Sequence, residues 1–395
     1  MSEFRTIREL CSVVVDCPHS TPKWTANGKI VIRNKNIKHG KIDFSSPSYT
    51  DDEHFAQRIK RAKPQPGDII ITREAPIGDV GMIPENTECC LGQRMVLLRA
   101  NQSVCDNFYL LYSLQSLYVQ HQISWSEGTG TTVSNLRIPH LEQIQIPYLP
   151  LEQQAKISSV LRALEEKIEN NRRLNDNLEQ QAQSYFQELF VDNADPEWAI
   201  GTISDLGTVV GGSTPSKAKP EYYTESGIAW ITPKDLSINK SKFVSHGEND
   251  ITELGLKNSS AAIMPEGTVL FSSRAPIGYI AIAAGEVTTN QGFKSVVPKP
   301  EIGTPFVYFF LKNTLPAIEG MASGSTFKEV SGSTMKNVPA VIPDAETLAK
   351  FSDFCAPIFA QQRILEEQNQ SLATLRDNLL PKLMSGEIDV SAVQL

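Results

Sequence analysis

The sequence is a long internal duplication, and this constrains its fold more than any other feature. Residues 66–100 align without a gap onto residues 266–300, and the best-matched stretch is REAPIGDVG against SRAPIGYIA. The opening segment TIRELCSVVVD resembles TISDLGTVVGG, and an STP segment occurs in each half. A period near 200 residues is far longer than a solenoid repeat, so it predicts two whole domains. We expect such a protein to bind a ligand that itself has two similar halves.

Composition narrows the class of protein. With 395 residues, of which 40% are hydrophobic, the chain can form two cores of about 150 residues each. The start lacks an apolar signal-type stretch and no run of 18 uncharged apolar residues occurs, so we expect a cytoplasmic protein without a membrane partner. The six cysteines show no CxxC spacing, which predicts reduced, mostly buried thiols. A net charge of −8 argues against coating nucleic acid through bulk positive charge, so any DNA binding must be local.

Each half has the pattern of a small mixed α/β domain. A strand leads through the Pro-Ile-Gly turn to a second strand, a third strand follows, and a short aromatic helix comes next. The predicted strands are 68–72, 80–83 and 94–98 in the first copy and 268–272, 280–283 and 294–297 in the second, with helices from Phe108 and Phe306.

Each half then ends in a long helical segment. The stretch after Pro150 has no glycine or proline over 40 residues, and its apolar positions step by about 3.5 residues, which predicts a coiled coil. In the second copy the apolar positions step by seven. We expect Asn171 to fix the register of the pair, and Pro357 to kink or delay the second helix. The predicted seam consists of Leu161, Leu164, Ile168, Asn171, Leu178, Tyr185, Ile358, Leu365, Leu372 and Leu379.

The alternative is that each helix packs on its own domain. Forty helical residues form a rod of about 60 Å, longer than such a domain needs, which favours pairing. The predicted domains are therefore two α/β domains at 1–150 and 191–343, with coiled-coil helices at 151–190 and 344–395. Antiparallel pairing would relate the two halves by a pseudo-two-fold axis.

In this order, these features resemble the specificity (S) subunits of type I restriction-modification systems, the HsdS family. The marks are the two STP segments, the paired APIG turns, the Gly-[ST]-[ST] segments, PLEQQ at 150–154 and LLPKLMSGEI at 379–388. The resemblance covers nearly the whole chain and implies an α+β fold with two target-recognition domains separated by two paired helices. The second helical region opens with DAETLAKF instead of a PLEQQ-like run, which leaves that partner surface open.

The resemblance also implies a function. It implies a non-catalytic subunit in which each domain recognises one half of an asymmetric, bipartite site in double-stranded DNA, while the helices set the spacer. Two methyltransferase (M) subunits are implied to dock on the helical regions, and restriction (R) subunits to join through them. S-adenosylmethionine, ATP and Mg are expected on those partners, and no cofactor is expected in this chain. The alternative is a two-domain adaptor for protein or carbohydrate, which the acidic charge favours slightly.

The chain itself lacks the motifs of an enzyme. It has no Asn-Pro-Pro-aromatic motif or Gly-rich cofactor loop of a methyltransferase, and no GxxxxGK[ST] of an NTPase. The six histidines match no metal-binding pattern, so we predict no metal site. The resemblance implies that the chain has no catalytic residue of its own.

Candidate DNA contacts come from loops that recur in both copies. Arg73 and Arg274 flank the APIG turns and could touch phosphate or a guanine edge, although the turn itself could serve only to shape a hairpin. Arg94 and Lys294 are aligned cations beside a shared glycine, which suit phosphate, or are otherwise solvated charges. Because the copies differ at Glu74 and Arg274, we expect specificity to lie at such positions.

Two further groups of candidates lie in matched segments. Those in IRNKNI and ITPKDL could contact base edges, since Arg suits guanine, Asn adenine and Asp the cytosine amino group. Those in the Gly-[ST]-[ST] segments could hold phosphate, or could instead cap a local turn. The first group is Arg33, Lys35, Asn36, Lys234 and Asp235, and the second is Thr131, Thr132, Ser325, Thr326 and Lys328.

Overall fold

The computed structural model describes residues 3–38, 40–125, 135–324, 328–391 and 393. The chain divides into two compact units, one formed by Met1–Ile168 with Ser371–Leu395 and the other by Glu169–Gln370. Each unit contains one copy of the repeat and a part of each long helix.

The first copy alternates short strands with short helices and ends in a long helix. Its elements are β1 (Glu3–Thr6), α1 (Ile7–Leu10), β2 (Cys11–Asp16), β3 (Lys29–Ile32), β4 (Ile37–Lys38), β5 (Lys41–Ile42), β6 (Ser48–Thr50), α2 (Asp52–Arg58), β7 (Ile69–Arg73), β8 (Ile77–Met82), β9 (Cys89–Leu91), β10 (Met95–Ala100), α3 (Asn107–Gln115), α4 (Leu117–Ser124), α5 (Ile138–Gln143), β11 (Gln145–Tyr148) and α6 (Leu151–Gln187).

The second copy repeats this order with few changes. Its elements are β12 (Ala199–Thr202), α7 (Ile203–Leu206), β13 (Gly207–Gly211), β14 (Tyr223–Thr224), β15 (Ile228–Ile231), α8 (Pro233–Ile238), β16 (Phe243–Val244), β17 (Asn249–Ile251), α9 (Glu253–Lys257), β18 (Val269–Ser273), β19 (Ile277–Ala283), β20 (Thr288–Thr289), β21 (Lys294–Pro298), α10 (Thr304–Gly320), α11 (Gly332–Lys336), β22 (Pro339–Ile342) and α12 (Ala345–Ser385).

The two copies share one sheet topology. The main sheet of the first copy has the order β2-β10-β7-β8, and its counterpart has the order β13-β21-β18-β19 with β16 added at the edge. The smaller sheets also correspond, because β6-β3-β9 matches β17-β15-β20 and β1-β11 matches β12-β22. The duplication inferred from the sequence is therefore a duplication of the fold.

Buried apolar strands explain why the main sheets form. Ile69, Ile70 and Ile71 are fully buried, and so is the matching run Val269–Phe271. Alternate residues of a strand point to opposite faces. Ile69 and Ile71 accordingly belong to a core shared with the helices, whereas Ile70 belongs to a second core under the smaller sheet.

The APIG turns have the same conformation in both copies. The peptide bond before each proline is cis, and φ is positive at Ala75 (47°) and Ala275 (49°). Gly78 also has a positive φ, of 81°. A Cβ atom there would lie 3.1 Å from Ile123, so the turn requires glycine both for its backbone and for its contact with α4.

The structure departs from two expectations about the helices. The aromatic helix of the first copy is interrupted at Ser116, whose backbone is extended and whose hydroxyl accepts from Val119 N, so that α4 starts afresh. In the second copy, α12 starts twelve residues before Pro357 and continues through it, so the expected delay does not occur. Asp344 caps this start by accepting from Thr347 N at 2.9 Å.

Within the second unit, α6 and α12 pair in antiparallel fashion. The Asn171 amide donates to Gln368 Oε1 at 3.3 Å, Gln362 donates to Asn175 O at 3.2 Å, and the rings of Tyr185 and Phe354 are 4.5 Å apart. The contacts advance along α6 while they move back along α12. The predicted fold class, two similar α/β domains with two long helices paired antiparallel, is confirmed; the pseudo-two-fold axis stays a prediction.

All ten predicted seam positions are buried or half-buried. Asn171 is buried despite its polarity, and its amide donates a hydrogen bond to Gln368 across the helix pair. The buried seam residues are Leu161, Ile168, Asn171, Ile358 and Leu365, and the half-buried ones are Leu164, Leu178, Tyr185, Leu372 and Leu379. Within the described residues, none of the helices combines the length and the apolarity needed to cross a bilayer.

Candidate functional site

An open pocket of about 320 Å³ lies on the first unit and brings distant loops together. Three of the predicted contacts, Arg33, Lys35 and Arg94, line this pocket. Trp24 and Gln93 line it too, and neither was predicted from the sequence. A concave surface with three cations and an aromatic ring suits a ligand with negative charge and flat, stackable groups.

The aromatic wall of the pocket is formed by Trp24. This residue is 45% exposed, and the Arg33 guanidinium lies 5.0 Å from its ring centroid. A cation at this distance is attracted to the ring face, which orients both side chains. Trp24 follows the STP segment, so its place beside a recurring motif was the available signal in the sequence.

Asn36 is buried behind the pocket loop and does not line the pocket. This residue is 3% exposed, its Oδ1 accepts from Arg33 N at 3.0 Å, and its Nδ2 donates to Asp43 O at 2.9 Å. Both ends of the amide thus hold the turn that carries Arg33 and Lys35. The expectation that Asn36 contacts a base does not fit this placement, because its hydrogen-bonding groups are buried and used.

Asp235 has the equivalent role in the second unit. Its Oδ2 accepts from Thr232 N at 2.7 Å and its Oδ1 accepts from Glu248 N at 2.9 Å, so it closes the first turn of α8. It is buried and does not present its carboxylate for a cytosine amino group. Lys234 is exposed beside it, and its hydrogen bond with Glu248 at 2.5 Å raises the pKa of the lysine. Lys234 is therefore a cation at neutral pH.

Arg73 is a structural brace. Its side chain is 11% exposed, and its Nη1 donates to Asp16 at 3.0 and 2.9 Å. Its Nε donates to Leu136 O at 2.9 Å and its Nη2 to Asn135 Oδ1 at 3.2 Å. With these four bonds the guanidinium ties three segments of the first unit together. The expected contact with phosphate or guanine does not fit, since little of the side chain reaches solvent.

Three segments of the chain meet at Arg73 in the first unit and at Ser273 in the second, and we call each meeting point a corner. In the first unit, Arg73 N donates to Arg94 O at 2.8 Å and Leu136 N donates to Arg73 O at 3.0 Å. In the second, Ser273 N donates to Gly292 O at 2.7 Å and Val330 N to Ser273 O at 2.9 Å. Each corner thus joins a strand end, the loop before β10 or β21, and the segment after the Gly-[ST]-[ST] residues.

In each corner one glutamate forms ion pairs, with one cation in the first unit and with two in the second. In the first unit, Arg94 Nε lies 3.1 Å from Glu74 Oε2, and the arginine side chain is 57% exposed. In the second, Glu329 lies 3.4 Å from Arg274 and 3.5 Å from Lys294. Arg94 and Arg274 are therefore placed at the surface, whereas the Lys294 side chain is only 17% exposed. All three predicted contacts lie next to a carboxylate that the sequence analysis did not assign to them.

The remaining predicted contacts lie in or beside the Gly-[ST]-[ST] segments. Thr131, Thr132, Ser325 and Thr326 fall outside the described residues. Lys328 is exposed, next to Glu329.

The thiols offer no nucleophile. All six cysteines are free and buried, as predicted. Burial raises the pKa of Cys11, Cys89 and Cys355 to about 12 and that of Cys90 to about 11. Thiols with such values remain protonated at neutral pH and are unreactive. Over the described part of the chain, no three His, Cys, Asp or Glu residues are grouped as a metal site would require.

Comparison with known proteins identifies the family. The family model "Type I restriction modification DNA specificity domain" matches residues 3–180 and again residues 196–375. The two matches cover most of the chain, one for each copy of the repeat. The chain therefore belongs to this family, which confirms the resemblance inferred from the sequence.

Individual relatives agree with this assignment. The type I restriction enzyme MjaIX specificity subunit of Methanocaldococcus jannaschii is 39% identical over 191 residues, which cover 46% of this chain and 44% of the relative. The chain thus spans about half the length of that relative. The putative type I restriction enzyme MjaX specificity subunit of the same organism is 21% identical over 411 residues, covering 98% of this chain and 94% of the relative.

A solved structure shares the fold. The crystal structure of the type I restriction-modification S subunit from M. genitalium superposes with a TM-score of 0.61 at 19% identity, over 97% of this chain and 96% of that one. At this identity the likeness concerns the fold alone.

Proposed function

We propose that this chain is the DNA sequence-specificity subunit of a type I restriction-modification enzyme and catalyses no reaction itself. Each α/β domain would recognise one half of an asymmetric, bipartite DNA site. The observation that carries this proposal is that one family of DNA specificity domains matches both copies of the repeat. No comparison favours the alternative of an adaptor for protein or carbohydrate.

The local charge supports DNA as the ligand. The chain carries a net charge of −8, yet Arg33, Lys35 and Arg94 converge on one pocket. Phosphate contacts position a protein on DNA, while base contacts supply specificity. We assign the exposed cations to phosphate or guanine edges, and Trp24 to stacking or sugar contact. Asn36, Arg73 and Asp235 are assigned to the scaffold that holds these loops.

The partners follow from the family. Two methyltransferase (M) subunits would dock on the helical regions, and restriction (R) subunits would join through them. S-adenosylmethionine, ATP and Mg would be bound by those subunits. Supporting this division, the sequence has no nucleotide-binding motif and the described cysteines are unreactive thiols.

A DNA-binding assay with random duplexes tests the proposal. The chain with its M subunits is expected to enrich one bipartite sequence with an unspecified spacer. Inserting seven residues at matched points of both long helices preserves the seam and adds about 10 Å of helix. At 3.4 Å per base pair this should lengthen the spacer by about three base pairs. Enrichment of no sequence, or a spacer that ignores the insertion, would contradict the proposal.

A further inference from the structure

The two corners keep a carboxylate beside the aligned cations, but they take it from different segments. In the first unit the glutamate is Glu74, which directly precedes the APIG turn, and the Asn135 amide donates a hydrogen bond to it at 2.8 Å. In the second, the matching positions are Arg274 and Glu329, and their backbones form an antiparallel bridge. The negative charge has thus moved across the corner while its partner at position 94 or 294 stays cationic.

Such an exchange indicates what the corner requires. If these residues served only to shape the turn, one copy could lack the carboxylate altogether. If glutamate were needed at one position for base contact, it would not change segments. What the copies share is a cation and a carboxylate in contact at 3.1 to 3.5 Å.

We infer that Glu74 and Glu329 are specificity-determining residues that restrain the corner cations from binding phosphate indiscriminately. This inference rests on the proposed function. In the free protein, each carboxylate forms an ion pair with the guanidinium or ammonium group that phosphate would otherwise bind. A non-cognate duplex depends on phosphate contacts and has to break this ion pair, whereas the cognate duplex binds through base contacts of the loops and leaves the pair intact. The carboxylate therefore penalises a non-cognate sequence more than the cognate one.

The geometry permits this exchange. Arg94 is 57% exposed, contacts Glu74 through Nε and lines the pocket. The contacts of Glu329 at 3.4 and 3.5 Å are longer than a close charge-assisted hydrogen bond. Each of these ion pairs still reaches solvent, and ion pairs that reach solvent are weak enough for a competing anion to break.

The test uses the chain assembled with its M subunits and compares Glu74→Gln and Glu329→Gln with the wild type. Binding is measured by fluorescence anisotropy on a cognate and a random duplex over a range of salt concentrations. We expect each variant to bind the random duplex about two- to fivefold more tightly, the range that an exposed ion pair can oppose. Its salt dependence should steepen by about one unit of slope, equivalent to one added phosphate contact. Affinity for the cognate duplex should rise less, so discrimination falls.

Glu88→Gln is the matched control. Glu88 pairs with Lys29 at 2.5 Å and with Lys63 at 2.9 Å on the same unit, away from the corner. This variant changes the net charge equally and also breaks ion pairs, but it should leave both affinities near wild type. If Glu74→Gln behaves like Glu88→Gln, or binds the random duplex less tightly, the inference is overturned.

A double variant that moves the carboxylate to the other segment distinguishes the inferred effect from a folding defect. Glu74→Arg with Asn135→Glu installs the arrangement of the second unit in the first. The double variant should return random-duplex affinity to within about twofold of wild type, whereas Glu74→Arg alone should bind more tightly. Equal tightening in both would overturn the inference. If the wild-type complex itself prefers no sequence, the proposed function fails instead, and the inference with it.

Discussion

Replacing Arg73 with alanine separates a structural brace from a DNA contact. The side chain is 11% exposed and its partner Asp16 is 17% exposed. Removing one member of a buried ion pair costs about 3–5 kcal/mol, because the other charge is left without compensation. Leu136 O and Asn135 Oδ1 would also lose a donor. Since Asp16 can still reach some water, we expect the lower end, about 3 kcal/mol.

This loss should be visible in the first unit alone. For a unit of this size, about 3 kcal/mol corresponds to a fall in Tm of roughly 6–12 °C. Differential scanning calorimetry would measure the fall, and hydrogen exchange would show faster exchange in β7 and β10 but not in β18 and β21. The control is Arg94→Ala, whose exposed ion pair with Glu74 contributes at most about 1 kcal/mol. If Arg73→Ala melts like the wild type and loses DNA affinity as Arg94→Ala does, Arg73 is a DNA contact and the structural role is wrong.

Three further predictions follow from buried polar groups. Asn36→Ala should destabilise the first unit by about 1–2 kcal/mol in urea titration without changing the DNA sequence bound, because its amide only holds a turn; a changed half-site would refute this. Asn171→Leu should stabilise the helix pair and allow alternative registers, seen as a higher Tm with broadened amide NMR signals; unchanged signals would contradict the register role. Burial raises the pKa of Glu179, but ion pairs with Lys242 at 2.6 Å and Lys312 at 2.5 Å outweigh this and lower it. Its stabilisation is therefore present above the unfolded value near 4.5 and is lost as pH falls through the lower folded pKa. Glu179→Gln should destabilise the second unit at pH 7 and flatten the acid side of its stability profile; an unchanged acid slope would contradict this.

The fold could be predicted largely because its signals are periodic. The matched APIG turns place corresponding strands in both copies, and the heptad steps of α6 and α12 predict the helix pair. These patterns depend on residues close in sequence, whose spacing alone determines which face is apolar. The prediction failed where a single capping side chain determines where a helix starts. Ser116 interrupts the aromatic helix, and the cap at Asp344 starts α12 before Pro357.

The candidate site was only partly predictable. Arg33, Lys35 and Arg94 were found because they lie in or beside segments that are matched between the copies, and the structure brings them to one pocket. Arg73 is also an arginine beside a matched motif, so the sequence does not distinguish it from Arg33 and Arg94. Its partner Asp16 lies 57 positions away, and only this tertiary contact shows that Arg73 is buried. Trp24 was missed for the same reason, since it meets Arg94 only through folding.

Exchange of one recognition domain tests the central claim most directly. Residues 1–150 would be replaced by the corresponding domain of a relative, and methylated sites would be mapped by sequencing the DNA of a host that also expresses the M subunits. If each domain recognises one half of the site, one half-site changes while the other half-site and the spacer stay the same. Methylation of an unchanged sequence, or a change in both half-sites together, would contradict the claim.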